Sequence, residues 1–260
     1  MIRRKPEAVL ALLVIVLVGL VTSNTLRGMR PHDNGSAAVA EGDTTAADEQ
    51  VALSVTNPAS PESEQKTSSA ELRRRVGNLA SGTYVNDILA EQDSALYRWP
   101  ERLSDAIRVY IEPSSNVPDW NPQYPGMAHD VFEEWSLAGF PLRFSFVYDS
   151  TGADMTIRWR DHFPETDGQR IGVTERTQSN EFFIGQARIA IALHDSSGRV
   201  LAPATVGGIV RHEVGHALGL NHSTDASSVM FREAATSTMS ASDRATLRLL
   251  YLVPPGSLKN

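Results

Sequence analysis

The sequence predicts an α+β or α/β fold with a single mixed sheet. Two observations support this fold class. Stretches in which apolar and polar residues alternate, as in a half-buried strand, are interleaved with stretches whose apolar residues recur at helical spacing. Their order along the chain is strand, helix, strands, helix, helix, which is typical of helices packed on one sheet. The expected strands occupy residues 106–111, 144–148, 155–159, 171–174 and 184–193.

Three helices are expected among these strands, over residues 127–137, 205–219 and 240–251. The first carries Val131, Phe132 and Trp135 on one side, as an amphipathic helix does. The last begins at Ser240, whose hydroxyl can form a capping pair with Asp243. The first helix is therefore supported by an apolar face and the last by a start signal.

The first 70 residues differ in composition from the rest of the chain. Basic residues at positions 3–5 precede an uncharged apolar run over about residues 8–21, which is the pattern of an export signal. No clear cleavage site follows, so residues 1–24 are predicted to be an uncleaved signal-anchor that places the rest of the chain outside the cytoplasm. One alternative is that the segment is cleaved and the chain is secreted. The other is that the apolar run forms a buried helix of a soluble protein. Residues 25–70 are predicted to be a disordered acidic linker, because they hold few large apolar side chains.

Residues 71–98 are predicted to form a helical stem or pro-segment. Leu72, Val76 and Leu79 are spaced for one helical face. A second short helix is expected over residues 86–97. The main folded domain is then expected to cover residues 99–256.

Charge and cysteine content exclude several classes of protein. The formal net charge is −7 and the isoelectric point is about 5.5, which argues against a nucleic-acid binder, since such proteins need a basic face. The chain has no cysteine, so it has neither disulfides nor thiolate ligands. Any metal site must therefore use histidine and carboxylate ligands.

The residues best suited to chemistry lie in the stretch 212–222, HEVGHALGLNH. On a helix, His212 and His216 lie one turn apart on the same face, so both rings can reach one zinc ion. Glu213 is rotated away from a ligand position and can act on a water molecule at the ion. The pattern therefore indicates a metal site with a carboxylate base beside it.

His222 can join the same site only if the helix ends first. A continuous helix would place it about 15 Å from His212 along the axis, at 1.5 Å per residue. Gly219 tolerates the left-handed conformation that ends a helix and reverses the chain. The turn lets His222 return as a third ligand, and three protein nitrogens leave a fourth position open, as in catalytic zinc sites.

These residues resemble a known family. Residues 212–222 match the signature of the metzincin metallopeptidases, and Ser223, directly after the third histidine, is similar to the matrixin variant. Met230 lies eight residues past that histidine, where matrixins have their methionine turn. Residues 240–251 look like the C-terminal helix of that family. The resemblance covers roughly residues 99–255.

The resemblance implies an α+β fold with a metzincin-type mixed five-stranded sheet, a backing helix, an active-site helix and a C-terminal helix. It implies a zinc-dependent endopeptidase with one catalytic Zn²⁺ held by the three histidines. Glu213 would be the general base, with Gly219 and Met230 as structural support. Residues 170–175 are the expected edge strand for the substrate.

The expected substrate is a protein or peptide, and no nucleic-acid partner is expected. The chain itself is expected to be a monomer that is attached to the membrane through its N-terminal segment. A peptide linked to the cell wall is an alternative substrate, and a catalytically silent zinc-containing peptide-binding module is an alternative function. A second zinc is not expected, because the histidine pattern for it is absent; His162 and His194 are expected to be ordinary loop and strand-end residues. A cysteine-based latency switch is excluded by the composition.

Overall fold

The computed structural model describes residues 68–101, 105–164, 166, 170–232 and 238–259. The chain divides into two units, Met1–Ser60 and Pro61–Asn260, and every described residue lies in the second. The signal-anchor over residues 1–24 and nearly all of the linker over residues 25–70 lie outside the described residues, so both stay predictions. Within the described ranges, no helix is both long enough and apolar enough to cross a membrane.

The elements follow the expected order, with additions at both ends. The described helices are α1 (Ser69–Leu79), α2 (Val85–Glu91), α3 (Tyr124–Ser136), α4 (Pro203–Ala217) and α5 (Ala241–Leu252). The described strands are β1 (Ala95–Leu96), β2 (Ile107–Ile111), β3 (Phe144–Val147), β4 (Met155–Arg160), β5 (Gly172–Gln178), β6 (Ile184–Ala192) and β7 (Gly256–Ser257).

A mixed five-stranded sheet with the order β3-β2-β4-β6-β5 forms the centre of the domain. The first four strands are parallel to their neighbours, and β5 is antiparallel to β6. This arrangement confirms the predicted α+β fold with a five-stranded mixed sheet. It also makes β5 an edge strand, as expected for residues 170–175.

Helices α3 and α4 pack together beside the sheet. The ring of Phe132 on α3 contacts the rings of Phe144 and Phe146 on β3 at centroid distances of 5.0 and 5.9 Å. Trp135 is fully buried, and its Nε1 donates to the backbone oxygen of Arg211 on α4 at 3.1 Å. The predicted apolar face of α3 therefore both covers the sheet and supports the helix that carries the histidines.

The capping pair predicted for α5 is confirmed. The Ser240 hydroxyl accepts from the backbone N–H of Asp243, and the Asp243 carboxylate accepts from the backbone N–H of Ser240. This reciprocal box satisfies two N–H groups that the first turn of a helix leaves without partners.

Residues 69–98 belong to the same compact unit as the sheet. Leu72 and Val76 of α1 and Val85 and Ile88 of α2 are buried in the common core. Strand β1 pairs antiparallel with β7 near the C-terminus. The role of this segment as a stem or pro-segment stays a prediction, but its apolar face is part of the folded domain.

The helix expected over residues 86–97 is wrong in its second half. Helix α2 ends at Glu91, and Asp93 and Ser94 adopt positive φ angles of 54° and 63°. Those angles turn the chain so that Ala95–Leu96 can pair with β7. Asp and Ser are short polar residues, and the pairing with a distant strand outweighs their local helical context.

Candidate metal centre

Helix α4 and the loop after it bring the three predicted histidines together. Ring centroids lie 4.6 Å apart for His212 and His216, 4.8 Å for His216 and His222, and 5.5 Å for His212 and His222. One nitrogen from each ring lies within 4.8 Å of the other two. Three imidazoles at these distances can hold one metal ion with little movement.

Gly219 provides the chain reversal between the helix and His222. Its φ is +111°, and a Cβ at this position would lie 2.5 Å from the backbone oxygen of Tyr97. The N–H of Leu220 donates back to the carbonyl of Gly215 at 3.0 Å. Both the conformation and the close backbone approach therefore require glycine here.

Each histidine uses its Nδ1 for a protein contact. Nδ1 of His212 lies 2.8 Å from the backbone oxygen of Val229, and Nδ1 of His216 lies 2.9 Å from that of Leu220. Nδ1 of His222 lies 2.7 Å from Oε1 of Glu91. Since all three partners are acceptors, each Nδ1 carries the hydrogen, and each Nε2 keeps its lone pair for a metal.

Burial favours the uncharged form of the two helix histidines. It lowers the pKa of His212, against the opposing effect of the hydrogen bond to Val229. It lowers the pKa of His216 well below the ordinary value. A metal binds only deprotonated imidazole, so these environments prepare the rings for an ion. A donor set of three imidazoles, one nitrogen from each ring, therefore fits zinc.

Glu213 lies beside the triad of His212, His216 and His222 and is buried against the edge strand β5. Thr174 Oγ1 on β5 donates to Glu213 Oε2 at 2.7 Å and lies 2.9 Å from the backbone oxygen of the same residue. Burial raises the pKa of Glu213 to about 7, although the hydrogen bond from Thr174 opposes this shift. A carboxyl with a pKa near neutrality can both take and return a proton.

The edge strand is fitted closely to α4. A Cβ at Gly172 would lie 2.5 Å from Oε1 of Glu213, so glycine leaves room for that carboxylate. Arg176 donates from Nη1 to the backbone oxygen of His216 at 2.9 Å, and burial lowers its pKa to about 10. The same carbonyl also accepts from the N–H of Gly219 at 3.0 Å, and the positive charge of Arg176 complements the dipole at the helix C-terminus.

Met230 is fully buried in the turn that follows the histidines. Its backbone oxygen accepts from the N–H of Ser223 at 2.9 Å, and its own N–H donates to Ser228 Oγ at 3.0 Å. The buried carboxylate of Asp243 on α5 accepts from Ser228 Oγ and from the N–H of Val229. The C-terminal helix therefore fixes the turn that carries Met230 and the carbonyl that orients His212.

Two acidic residues of α2 contact the loop that carries His222. Glu91 accepts from the ring and, at 3.0 Å, from the backbone N–H of His222, and from Nη2 of Arg232 at 2.8 Å. Asp87 accepts from the N–H and hydroxyl of Thr224 at 2.8 and 2.9 Å. Partial burial raises the pKa of Glu91, but the hydrogen bonds from His222 and Arg232 outweigh it and lower the pKa below its ordinary value.

Sequence reasoning missed Glu91, Asp87, Thr174 and Gly172. The spacing of Asp87 and Glu91, four residues apart on one helical face, is the only signal for the first two. Gly172 and Thr174 lie within the predicted edge strand, residues 170–175, but nothing in the sequence singled them out.

The triad lies in a cleft of about 890 Å³. Its wall includes β5, α4 and the loop after α4. The lining residues outside the triad and Glu213 are Glu91, Arg170, Ile171, Gly172, Val173, Thr174, Arg176, Ile209, Asn221 and Arg232.

His162 and His194 lie in the loop after β4 and just beyond β6, where the sequence placed them. His194 lies 3.1 Å from Asp119 and 2.7 Å from Asp161, and His162 lies 3.2 Å from Asp161. Both rings therefore lie beside carboxylates of loop residues.

A family model described as matrixin matches residues 121–252, just over half of the chain. This chain belongs to the matrixin family. Matrixins are zinc-dependent metallopeptidases. The match includes the three histidines, Glu213 and Met230, but begins after α1, α2, β1 and β2. No curated protein matches the chain significantly.

Proposed function

We propose that this chain is a zinc-dependent endopeptidase that hydrolyses peptide bonds of extracytoplasmic proteins. The observation that carries the proposal is the convergence of three histidine rings, one nitrogen from each within 4.8 Å of the others, beside the buried carboxylate of Glu213. His212, His216 and His222 would hold Zn²⁺, which supplies Lewis acidity toward the scissile carbonyl and makes a water molecule more acidic.

Glu213 performs the proton transfers in this proposal. As a carboxylate it takes a proton from the attacking water at one oxygen, and as the acid it delivers that proton to the leaving amine. Thr174 holds Oε2, which leaves Oε1 as the oxygen for the water. Burial raises the pKa of Glu213 to about 7, which suits both steps near neutral pH.

The substrate is proposed to bind as an added strand on β5. This strand lies at the edge of the sheet and lines the cleft beside Glu213. An extended peptide can pair with the N–H and C=O groups of such an edge, with a carbonyl placed at the metal. Side-chain pockets beside the triad would then select among sequences.

Replacing Glu213 with Gln tests the proposed reaction. The amide keeps the shape of the side chain but cannot take a proton, so kcat on a peptide library should fall by about 10²–10⁴-fold while zinc content is unchanged. Glu133→Gln, an exposed change on α3 outside the cleft lining, is the matched control and should cleave normally. Cleavage by Glu213→Gln at the parental rate would refute the proposed mechanism, in which Glu213 is the base. A silent peptide-binding module would show zinc and peptide binding in the parent without turnover.

The membrane attachment is a separate proposal, supported by the basic and apolar composition of residues 1–24. The chain is proposed to be anchored there with the catalytic domain outside the cytoplasm. Cell fractionation should place the full-length chain with membranes. A soluble mature chain that begins beyond residue 22 would contradict the anchor and indicate a secreted enzyme.

A further inference from the structure

His222 differs from the other two histidines because it does not lie on a helix itself. It lies in the loop after Gly219, and its side chain keeps 23% of its surface exposed. A single carboxylate, that of Glu91, contacts both its ring and its backbone: Oε1 lies 2.7 Å from Nδ1, and Oε2 accepts from the N–H at 3.0 Å. These two contacts fix the ring relative to its own main chain.

Glu91 is itself held in place. Arg232 Nη2 donates to Oε1 at 2.8 Å, so the carboxylate has a cation on one side and the histidine on the other. Val85 and Ile88 anchor α2 in the core, at 1% and 0% exposure. One helical turn before Glu91, Asp87 binds Thr224 in the same loop. Helix α2, whose apolar face is buried in the core, therefore directs two carboxylates toward one loop.

We propose that Glu91 is a positioning residue for the third zinc ligand, and that α2 is an integral part of the metal centre. The inference rests on the proposed zinc site. A carboxylate bonded to the second nitrogen of a metal-binding histidine fixes the tautomer and ring orientation, and it makes the metal-binding nitrogen more basic. Glu91 meets this description, and it lies outside the segment that matches the matrixin model.

The same contacts bear on the role of residues 71–98. An inhibitory segment that is later removed would be expected to block the ion position. Glu91 instead contacts Nδ1, the ring nitrogen that does not face the ion. Removal of α2 would also uncover the apolar side chains that it buries and break the pairing of β1 with β7. These contacts therefore favour a segment that stays in the folded domain and strengthens zinc binding over an inhibitory segment that is removed.

Zinc affinity of the full-length chain tests this inference. Competition with a chromogenic chelator should show that Glu91→Ala binds zinc about 10–100-fold more weakly than the parent. Glu91→Gln should lose less zinc affinity than Glu91→Ala, because its amide oxygen can still accept one of the hydrogen bonds that the two carboxylate oxygens accept. The matched control is Glu71→Gln, which removes a carboxylate paired with Arg74 and Arg75 on α1, away from the loop. Its affinity should equal that of the parent.

Two further measurements separate positioning from general destabilisation. In the Co²⁺-loaded chain, the visible d–d bands should change in Glu91→Ala and Glu91→Gln but not in Glu71→Gln. The thermal unfolding of the zinc-free variants should stay close to that of the parent. If Glu91→Ala shows no cooperative unfolding, the spectrum and affinity of Glu91→Gln decide.

Affinity within twofold of the parent for both position-91 variants, with unchanged Co²⁺ spectra, would overturn the inference. That result leaves the proposed function intact, provided that the parent binds zinc and cleaves peptides. Absence of zinc binding or cleavage in the parent would instead refute the proposed function. The two failures are therefore distinguishable in one set of samples.

Discussion

The two halves of the metal centre are built in different ways. His212 and His216 lie on α4, and backbone carbonyls of Val229 and Leu220 contact their Nδ1 atoms. His222 lies in a loop, and a side-chain carboxylate contacts its Nδ1. The helix sets the spacing of the first two rings by its own geometry. The third ring depends on a turn and on a partner from a distant part of the chain.

This difference has an energetic consequence. No substitution removes a backbone carbonyl, so the orientation of the helix histidines tolerates change in the residues that contact them. The orientation of His222 depends on the identity of residue 91. The helix half is thus spaced by secondary structure and oriented by backbone carbonyls, whereas the loop half depends on one distant side chain.

Gly219→Ala changes the turn that joins the two halves, and it should cause the largest loss in the free energy of unfolding. The new Cβ would lie 2.5 Å from the Tyr97 carbonyl oxygen at a φ of +111°. Strain and overpacking together should cost about 3 kcal/mol or more, which lowers the Tm by about 10 °C in a domain of this size. Differential scanning calorimetry measures the change.

Gly198→Ala is the control for Gly219→Ala. Gly198 also has a positive φ, +78°, but nothing lies within 4 Å of a Cβ there. Conformational strain alone should then cost about 1 kcal/mol. Equal losses at the two positions would show that the close approach at Gly219 has no importance.

Truncating one histidine from each half should give unequal losses of stability in the zinc-free chain. His212 is buried, so His212→Ala leaves a cavity and an unpaired Val229 carbonyl, at a cost of about 2 kcal/mol. His222→Ala leaves a partly exposed site and should cost about 0.5 kcal/mol or less. Urea unfolding with a chelator present measures both. A larger loss for His222→Ala would reverse the comparison.

Thr174→Val should have the smallest effect, confined to the pH dependence of the reaction. The Thr174 hydroxyl stabilises the ionised form of Glu213 and so lowers a pKa that burial raises. Removing it raises the pKa further, so less of the base is ionised at a given pH. The acid limb of kcat/KM should move to higher pH, with a larger loss at pH 6 than at pH 9. Thr177→Val, an exposed change on the same strand, should leave the limb in place; a limb that stays fixed in Thr174→Val would show that the hydroxyl does not tune Glu213.

The parts of the structure that local patterns determine were predictable from the sequence. The individual strands followed largely from apolar alternation, and the spacing of His212 and His216 followed from the helical repeat. The capping box of α5 was visible as Ser240 and Asp243. Each of these depends on residues within one element.

The parts that depend on distant contacts were not predictable. Glu91 is 131 positions from His222, and no motif links the two. The end of α2 was misplaced because β1 pairs with β7, about 160 residues later in the sequence. The contact of Thr174 with Glu213 was not predictable for the same reason, since only the packing of β5 on α4 brings its hydroxyl to that carboxylate.

The pairing of β1 with β7 also sets the limits of any fragment made for study. These two short strands latch the beginning of the described domain to its end, through Ala95 with Ser257 and Leu96 with Gly256. A fragment cut at residues 121 and 252 would lose both sides of that latch, together with α2 and the interior strand β2. Expression from residue 68 to the C-terminus keeps the latch closed and the sheet complete.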